Sequence, residues 1–310
     1  MKNMINQVHL EGLIYEHDLE LKVSGPNAKN PNTEFITGTL SVATDDARIN
    51  VIPVHFTYVT ATTSKGKPNE TFNILKNVID EKLCSVMKHG LDKAGKVRID
   101  TAIGLNEFYT DRDGEEVLVS SKRNEGGFIH LCSALADDEK DRNTFACDMV
   151  ITGATRIEAN PEKQLPEKVI VKGAIFDFRK SLLPVEFSAT NPGAMDYFEG
   201  LGASGKEPVF TKVWGRQVSE TVVRKVTEES AFGEDSVREF KSTRKDFLIT
   251  GALKEPYIWD TDETITADEL VKCMTDRETT LATIKQRRDE YKASKSNPVA
   301  AAPAAGGFNF

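Results

Sequence analysis

The sequence predicts a mostly β protein built from two related units, with a helical insertion in the first unit, a C-terminal helix and a flexible tail. Residues 36–58 alternate apolar and polar side chains on both sides of a polar turn, which is typical of two strands joined by a short connection. A shortened version of this pattern recurs at residues 170–190, where Leu-Pro-Val-Glu-Phe corresponds to Ile-Pro-Val-His-Phe in the first copy. Each copy also follows a strand with a central glycine, Gly12 or Gly153. We therefore expect one unit on each side of about residue 140.

The elements of the first unit follow from the same patterns. Residues 5–24 alternate as one long strand, which we expect to bend near its glycine, and residues 60–69 are a polar loop. Apolar residues recur every three or four positions from 71 to 89, which predicts a helix that ends at Gly90. An Asp-Gly pair at 113–114 between two alternating runs predicts a hairpin.

The second unit is predicted to begin after a charge run at 137–143, which we interpret as a surface linker. Five strand patterns follow, with a short helical pattern at 192–200. Thr266 and Glu269 form a capping pair at the start of the last helical pattern, and the chain beyond it is rich in Ala, Pro, Gly and Ser. The predicted boundaries are 1–136 for the first unit with its helical insertion at about 71–89, 144–258 for the second unit, 264–292 for the C-terminal helix and 293–310 for the flexible tail.

The bulk composition limits the possible functions. The chain has 310 residues, a formal net charge of -8 and a pI near 5.4, so no global basic field favours nucleic acid, although a local basic groove is compatible with these values. The four cysteines form no Cys-x-x-Cys pair, so we expect reduced thiols rather than a disulfide framework or a zinc site. Because we find neither a membrane-spanning apolar run nor the apolar core of a signal peptide, we expect a soluble, cytoplasmic protein with no membrane partner.

No constellation of catalytic residues stands out in the sequence. Residues 200–206 match two phosphate-binding patterns, but they lack the preceding apolar strand and the following helix, and Glu207 replaces the magnesium-binding Ser or Thr. The five histidines show no metal-ligand spacing, and the paired aspartates lie in predicted turns. We therefore predict no enzyme, no metal and no cofactor. A nucleic-acid enzyme with a poorly marked metal site is the open alternative.

The first unit contains three short motifs in a fixed order: Asn-x-Val-x-Leu-x-Gly at 6–12, Ser-x-Ala-Thr at 41–44 and Tyr-x-Asp-x-Asp-Gly at 109–114. In these motifs the unit resembles the bacterial and phage single-stranded DNA-binding proteins. The resemblance implies a fold of two OB-fold-like barrels, since the second unit repeats the first, and it fits the acidic pI and the flexible tail. The departures are the insertion at 60–96, the second unit itself and a tail that ends Phe-Asn-Phe without an acidic cluster. Two units on one chain look more like a phage version, which would act in the host cytoplasm.

Single-strand binding requires aromatic side chains for stacking on unpaired bases and spaced cations for phosphates. Alternate positions of residues 210–216 carry Phe, Lys, Trp and Arg, which would share one face of a strand. Because most strand aromatics pack in cores, we expect roughly half of the aromatic candidates to be buried, with Phe56 first among the core residues. The residues predicted to bind DNA are Tyr58, Lys65, Lys67, Tyr109, Arg112, Lys122, Arg123, Phe178, Arg179, Lys180, Phe210, Lys212, Trp214 and Arg216.

The sequence therefore predicts a protein that binds single-stranded DNA with little sequence preference and holds strands open during phage or bacterial DNA replication or recombination. The terminal Phe308 and Phe310 are predicted to anchor a replication or recombination protein, or to fold back over the groove, whereas an inert tail fits the composition equally well. The alternative function is that of a virion or assembly protein that uses its barrels for protein–protein contacts, which the net charge would suit. The sequence leaves homo-oligomer formation open.

Overall fold

The computed structural model describes residues 4–160, 165–228, 232, 236–261 and 264–296, and this part of the chain is mostly β with a C-terminal helix, as predicted. The strands are β1 (Asn6–His17), β2 (Glu20–Val23), β3 (Glu34–Ala43), β4 (Val51–Thr60), β5 (Lys96–Arg112), β6 (Glu115–Leu131), β7 (Asn143–Ile157), β8 (Lys168–Phe176), β9 (Leu182–Ala189), β10 (Val209–Glu228) and β11 (Ser236–Ala252). The helices are α1 (Glu70–Ile79), α2 (Val86–His89), α3 (Pro192–Gly200) and α4 (Ala267–Ser296), with a 3-10 turn at Leu91–Lys93.

Five strands of the first half pair in a closed circuit. Going round it, β1 pairs with β3, β3 with β4, β4 with β6, β6 with β5, and β5 with β1 again. All of these pairings are antiparallel except β4–β6, which is parallel at Val54–Asn124 and His55–Glu125. Strand β2 pairs only with β3 and lies outside the circuit. The predicted long strand at 5–24 is therefore two strands, β1 and β2.

Five strands of the second half pair in the same order. Here β7 pairs with β8, β8 with β9, β9 with β11, β11 with β10, and β10 with β7. Again one contact is parallel, between β9 and β11 at Ser188 and Leu248. In chain order, helix α3 lies between β9 and β10. Helices α1 and α2 lie at the equivalent place in the first circuit, between β4 and β5. The duplicated sequence pattern thus corresponds to β3–β4 and β8–β9.

The two circuits are joined along β1 and β7, which pair antiparallel from Asn6 and Cys147 onwards. The Asn6 side chain strengthens this junction, because its Nδ2 donates to the carbonyl oxygens of Ile103 in the first circuit (2.9 Å) and Phe176 in the second (3.2 Å). Its Oδ1 accepts the Ile103 N–H at 3.0 Å. One amide therefore ties β1 to strands of both circuits.

The core is formed by alternate residues of the strands. On β1, for example, Val8, Leu10 and Ile14 are buried while their neighbours are more exposed. Phe56 is fully buried, so that prediction is confirmed. The main cluster of buried apolar side chains includes residues of both circuits, and burial of this kind contributes about 25 cal/mol per Å² of apolar surface.

The helices differ from the prediction in two places, one of which is that α4 spans Ala267–Ser296 and so includes the first residues of the predicted tail. The single helix expected over 71–89 is two helices, because α1 ends at Ile79 and Glu81 adopts a positive φ of 58°. Helix α4 begins at the predicted capping pair: the Glu269 N–H donates to Thr266 Oγ1 (3.2 Å), and the Thr266 N–H donates to Glu269 Oε2 (3.0 Å).

Helix α4 is a polar helix that ion pairs attach to the β5–β6 hairpin. Arg277 forms two hydrogen bonds with Glu107 of β5, at 2.6 and 3.1 Å, and both side chains are largely buried. Nearer the helix end, Lys292 contacts Asp111 at 2.6 Å, and hydrogen bonds from Lys292 and Arg288 hold the pKa of the Asp111 carboxyl below its usual range. In the described part of the chain, no helix is both long and apolar enough to cross a membrane.

Candidate nucleic-acid interface

A cleft of about 1040 Å³ lies over the junction of the two circuits, and we call it the junction cleft. Its lining includes three exposed aromatic side chains: Phe128 is 70% exposed, Phe178 is 88% exposed and Trp214 is 40% exposed. They come from β6, from the turn between β8 and β9, and from β10. The cleft therefore combines aromatic rings from both circuits around the joining strands.

The pairing of the strands sets how the two aromatic walls of the cleft are placed, with Trp214 in one wall and Phe128 in the other. Trp214 on β10 lies opposite Ala146 of β7. On the other side, His9 of β1 lies opposite Asp100 of β5, which lies opposite Phe128 of β6. Four strand pairings separate β10 from β6, so the walls lie on opposite sides of the floor strands β7, β1 and β5. The floor between them carries small and polar side chains.

A β-bulge in β6 turns Phe128 outward. Phe128 pairs with Asp100, but Glu125 pairs with Ala102, so β6 has one more residue than β5 in this interval. The extra residue places both Phe128 and Glu125 on the outer face, although three positions separate them. Gly127, inside the bulge, has φ 112°, and a Cβ there would lie 2.3 Å from the Asp100 carbonyl oxygen. Glycine is therefore required for this arrangement.

Trp214 lies directly over the neighbouring strand β11. It pairs with Gly251, and a Cβ added at that glycine would come within 2.3 Å of Trp214 Nε1. The absence of a side chain at position 251 lets the indole lie against the sheet while its outer face remains exposed. A ring held in this way is a ready stacking surface.

Phe178 is held at the tip of the β8–β9 turn. The carboxylate of Asp177 accepts the backbone N–H groups of Arg179 (2.8 Å) and Ser181 (2.7 Å), which fixes the turn. The Arg179 guanidinium stacks over the Phe178 ring at 5.1 Å from its centroid. Lys180 follows in the same turn with φ 67°. The turn therefore presents an aromatic ring and two cations together.

Cations border the cleft on several of the elements that line it. Arg98 is two positions from Asp100 on β5, and Arg123 is two positions from Glu125 on β6. On β10, Lys212 and Arg216 flank Trp214, and neither forms an ion pair with the residues that the structure describes. Arginines and lysines are thus close in sequence to residues that line the cleft, although none of them lines it.

Three predicted residues lie away from the junction cleft, at the end of β4. Tyr58 stacks on Phe35 with ring centroids 4.6 Å apart. Lys65 and Lys67 are exposed in the tight turn that follows, where the Thr63 N–H donates to the Lys67 carbonyl at 2.8 Å. Aromatic and basic groups therefore adjoin here too, but they form a separate patch.

Tyr109 and Arg112 lie on the β5–β6 hairpin, which α4 covers in part. Lys285 of α4 lies 5.9 Å from the centroid of the Tyr109 ring. Arg112 is exposed beside the predicted Asp-Gly turn, where Asp113 and Gly114 both have positive φ. Helix α4 therefore occupies the face of the hairpin that Tyr109 was predicted to offer to DNA.

The prediction for Phe210 is wrong. It shares a strand face with Lys212, but it is only 1% exposed, because Tyr257 and Trp259 cover it with ring centroids 4.9 and 5.8 Å away. It belongs to a second cluster of buried apolar side chains, between the sheet and the segment that leads into α4.

The prediction for Lys122 is also wrong. Its amine reaches from β6 to the aromatic rings of Phe187 and Phe247, 5.5 and 5.4 Å from their centroids, and donates to the Glu186 carbonyl. Burial lowers the pKa of this amine. Lys122 is therefore part of the packing between the circuits and does not face a phosphate.

Phe128 was not among the predicted DNA-binding residues. The signal that could have identified it is the sequence Gly-Gly-Phe at 126–128, since adjacent glycines inside a strand pattern indicate a bulge. The predicted tail residues Phe308 and Phe310 lie outside the described residues. Within those residues, no group of three or more His, Cys, Asp or Glu could hold a metal ion, and all four cysteines are free.

Comparison with known proteins identifies the family. No curated protein sequence matches the chain significantly. The model of the YorF family matches residues 4–287, a range that contains both circuits and most of α4. The protein is therefore a member of the YorF family.

Proposed function

We propose that this protein binds single-stranded DNA in the junction cleft with little sequence preference, and that each circuit of five strands is an OB-fold barrel. The barrel assignment is supported by the identical pairing order of the two circuits, by the one parallel contact in each, and by a helical segment between the third and fourth strands of both. Many OB folds bind oligonucleotides or oligosaccharides.

One observation carries the DNA assignment: Phe128, Phe178 and Trp214 are exposed in a single cleft, and Arg98, Arg179 and Lys212 lie one or two positions from residues that line it. Large aromatic side chains usually pack inside a protein, and three exposed ones around one cleft are typical of a binding site. Unpaired bases have such faces, and stacking on an aromatic ring contributes about 1–3 kcal/mol per base.

The arrangement of aromatic and charged side chains favours single-stranded over duplex DNA. In a duplex the bases are stacked on one another and their faces are hidden, so contacts to phosphates and to base edges in the grooves would remain but aromatic stacking would be lost. A single strand can turn its bases into the cleft and its phosphates toward Arg98, Arg179, Lys212 and Arg216 at the rim. We therefore expect duplex DNA to bind much more weakly.

The biological role that fits this activity is protection of open strands during phage or bacterial DNA replication or recombination. On this account the protein is not an enzyme, and it acts in the cytoplasm of the cell. The tail that ends in Phe308 and Phe310 would bind a replication or recombination protein.

Fluorescence anisotropy with a labelled single strand and with the corresponding duplex tests the proposal. Wild type should bind the single strand more tightly, and a triple variant with Phe128, Phe178 and Trp214 changed to alanine should lose about a hundredfold or more in affinity. Met87→Ala, which removes an exposed apolar side chain on α2, should bind like wild type. Equal affinity of wild type and the triple variant would contradict the proposal.

The second candidate is a virion or assembly protein. It is supported by an acidic hollow of about 960 Å³ next to Arg216, lined by Asp45, Asp46, Asp137, Asp138 and Glu139, which would suit a basic protein surface. If single strands do not bind at any salt concentration, this candidate takes precedence.

A further inference from the structure

We infer that the junction cleft favours bases that carry an exocyclic amino group, such as cytosine, over uracil and thymine, because two carboxylates project among its aromatic side chains. The inference rests on the proposed function. It adds a bias in base composition to a mode of binding that otherwise tolerates any sequence.

The first carboxylate is Asp100, in the middle of the floor. It lies between His9 on β1 and Phe128 on β6, and about half of its side chain is exposed. Asp100 Oδ1 is 2.8 Å from His9 Nδ1, and Oδ2 is 3.5 Å from Arg98 Nε. An ionised carboxylate has about four acceptor sites, so Asp100 can still accept a hydrogen bond from a ligand.

The second carboxylate is Glu125, which the β6 bulge places on the same face. Arg123 Nε donates to its Oε1 at 2.5 Å. No hydrogen bond to Glu125 Oε2 is formed by the residues that the structure describes, and this oxygen lies over Gly104, where a Cβ would be 2.6 Å away. An acceptor is therefore available on Glu125, which lines the same cleft as Phe128.

These carboxylates determine which part of a nucleotide can enter. Asp100 and Glu125 offer acceptors but no donors, which suit an amino group of a base and not a phosphate oxygen, so we expect the backbone to stay at the rim and the bases to point inward. The edge of cytosine presents an amino donor, which Glu and Asp accept. Uracil and thymine present a carbonyl oxygen at the same place, where two acceptors would face each other, and their edge donor is the single N3–H one ring position away. The cleft should therefore bind cytosine more tightly at this position.

Oligo-dC and oligo-dU form a matched pair of ligands, because their bases have the amino or carbonyl group at the same ring position and neither carries the thymine methyl group. We would measure their affinities by anisotropy with strands of about 20 nucleotides, longer than the footprint of one OB fold, at mildly alkaline pH to keep cytosine neutral. A net hydrogen bond corresponds to a ratio between about twofold and tenfold in favour of oligo-dC.

Variants distinguish hydrogen bonding between the carboxylates and the base from a nonspecific effect of removing a negative charge. Glu125→Gln and Asp100→Asn should bring the ratio of the two affinities toward one, because an amide can donate as well as accept. Glu16→Gln removes the same charge from an exposed position of β1 outside the cleft and should leave the ratio unchanged. A wild-type ratio of one, or a ratio that Glu125→Gln and Asp100→Asn do not change, overturns the inference while the proposed function stands. Failure to bind either oligonucleotide overturns the proposed function as well.

Discussion

Asn124 and Gln217 exchange two hydrogen bonds at the contact between the two circuits. Asn124 Nδ2 donates to Gln217 Oε1 at 2.9 Å, and Gln217 Nε2 donates to Asn124 Oδ1 at 3.0 Å. Both residues are buried, and Asn143 also binds the Gln217 backbone through its side chain, at 2.6 and 3.1 Å. Because these amides satisfy one another only in one arrangement, they fix the position of β10 relative to β6. The geometry of the junction cleft depends on that position.

Replacement of Asn124 by alanine should destabilise the protein by about 1–3 kcal/mol, because the buried Gln217 side-chain amide would lose both of its hydrogen bonds to Asn124. Urea unfolding followed by circular dichroism measures this change. Asn27→Ala, in an exposed turn, is the matched control and should change the free energy of unfolding by less than about 0.5 kcal/mol. The double variant with leucine at 124 and 217 should recover part of the loss. An Asn124→Ala variant as stable as wild type would show that the amide pair does not hold the circuits together.

Gly127→Ala should weaken both the fold and DNA binding, because the new Cβ meets the Asp100 carbonyl and the backbone has φ 112°. We expect a loss of about 1–3 kcal/mol in stability and an affinity for single strands as low as that of Phe128→Ala. The control is Gly153→Ala, where the added Cβ would meet nothing within 4 Å. If Gly127→Ala binds DNA like wild type, the bulge does not position Phe128.

The charge at the rim predicts the salt dependence of binding. Arg216→Gln should reduce the slope of log affinity against log salt concentration by about 0.7, the value for one phosphate contact on a single strand. Anisotropy titrations at several salt concentrations give this slope. Lys29→Gln, an exposed lysine in the connection between β2 and β3, removes the same charge and should leave the slope unchanged. Identical slopes for wild type and Arg216→Gln would exclude a phosphate contact at Arg216.

Arg277→Ala should release α4 from the β5–β6 hairpin, because it leaves the buried Glu107 carboxylate without its cation, a loss that costs about 3–5 kcal/mol for buried pairs. Cys273 on α4 reports the change, since it is buried and burial raises the pKa of its thiol. In a background with serine at positions 84 and 132, its reaction with a thiol reagent should accelerate about tenfold or more. Arg287→Ala, at an exposed position of α4, should leave the rate unchanged. An unaltered rate in Arg277→Ala would mean that other contacts attach the helix.

The sequence predicted those parts of the fold that depend on local patterns. The strands were visible because one face of each is buried, and the β5–β6 turn because Asp-Gly favours the backbone that a tight hairpin needs. The break between α1 and α2 was not visible, because the apolar period continues across residues 80–85, although none of them is helical and Glu81 has a positive φ. The closure of the two circuits was not visible either, because it depends on pairings between strands that are far apart in the sequence.

The candidate site was predicted only in part, because local sequence patterns identify some of its residues and contacts between distant residues determine the others. Phe178 and Trp214 were identified because they alternate or cluster with cations in the sequence. The predictions for Phe210 and Lys122 failed because residues far along the chain cover them, the former by Tyr257 and the latter by packing against Phe247. Phe128 was not predicted, because its side chain faces outward only as a result of the β-bulge in β6.

The most direct test of the central claim, that single-stranded DNA lies in the junction cleft, is the quenching of tryptophan emission. The chain has two tryptophans, Trp214 in the cleft and Trp259 in the second buried cluster. A single strand should quench the emission of wild type and of Trp259→Phe, but not that of Trp214→Phe, and Trp214→Ala should weaken the complex by about 1–3 kcal/mol. Quenching that persists in Trp214→Phe, together with unchanged affinity in Trp214→Ala, would contradict the account.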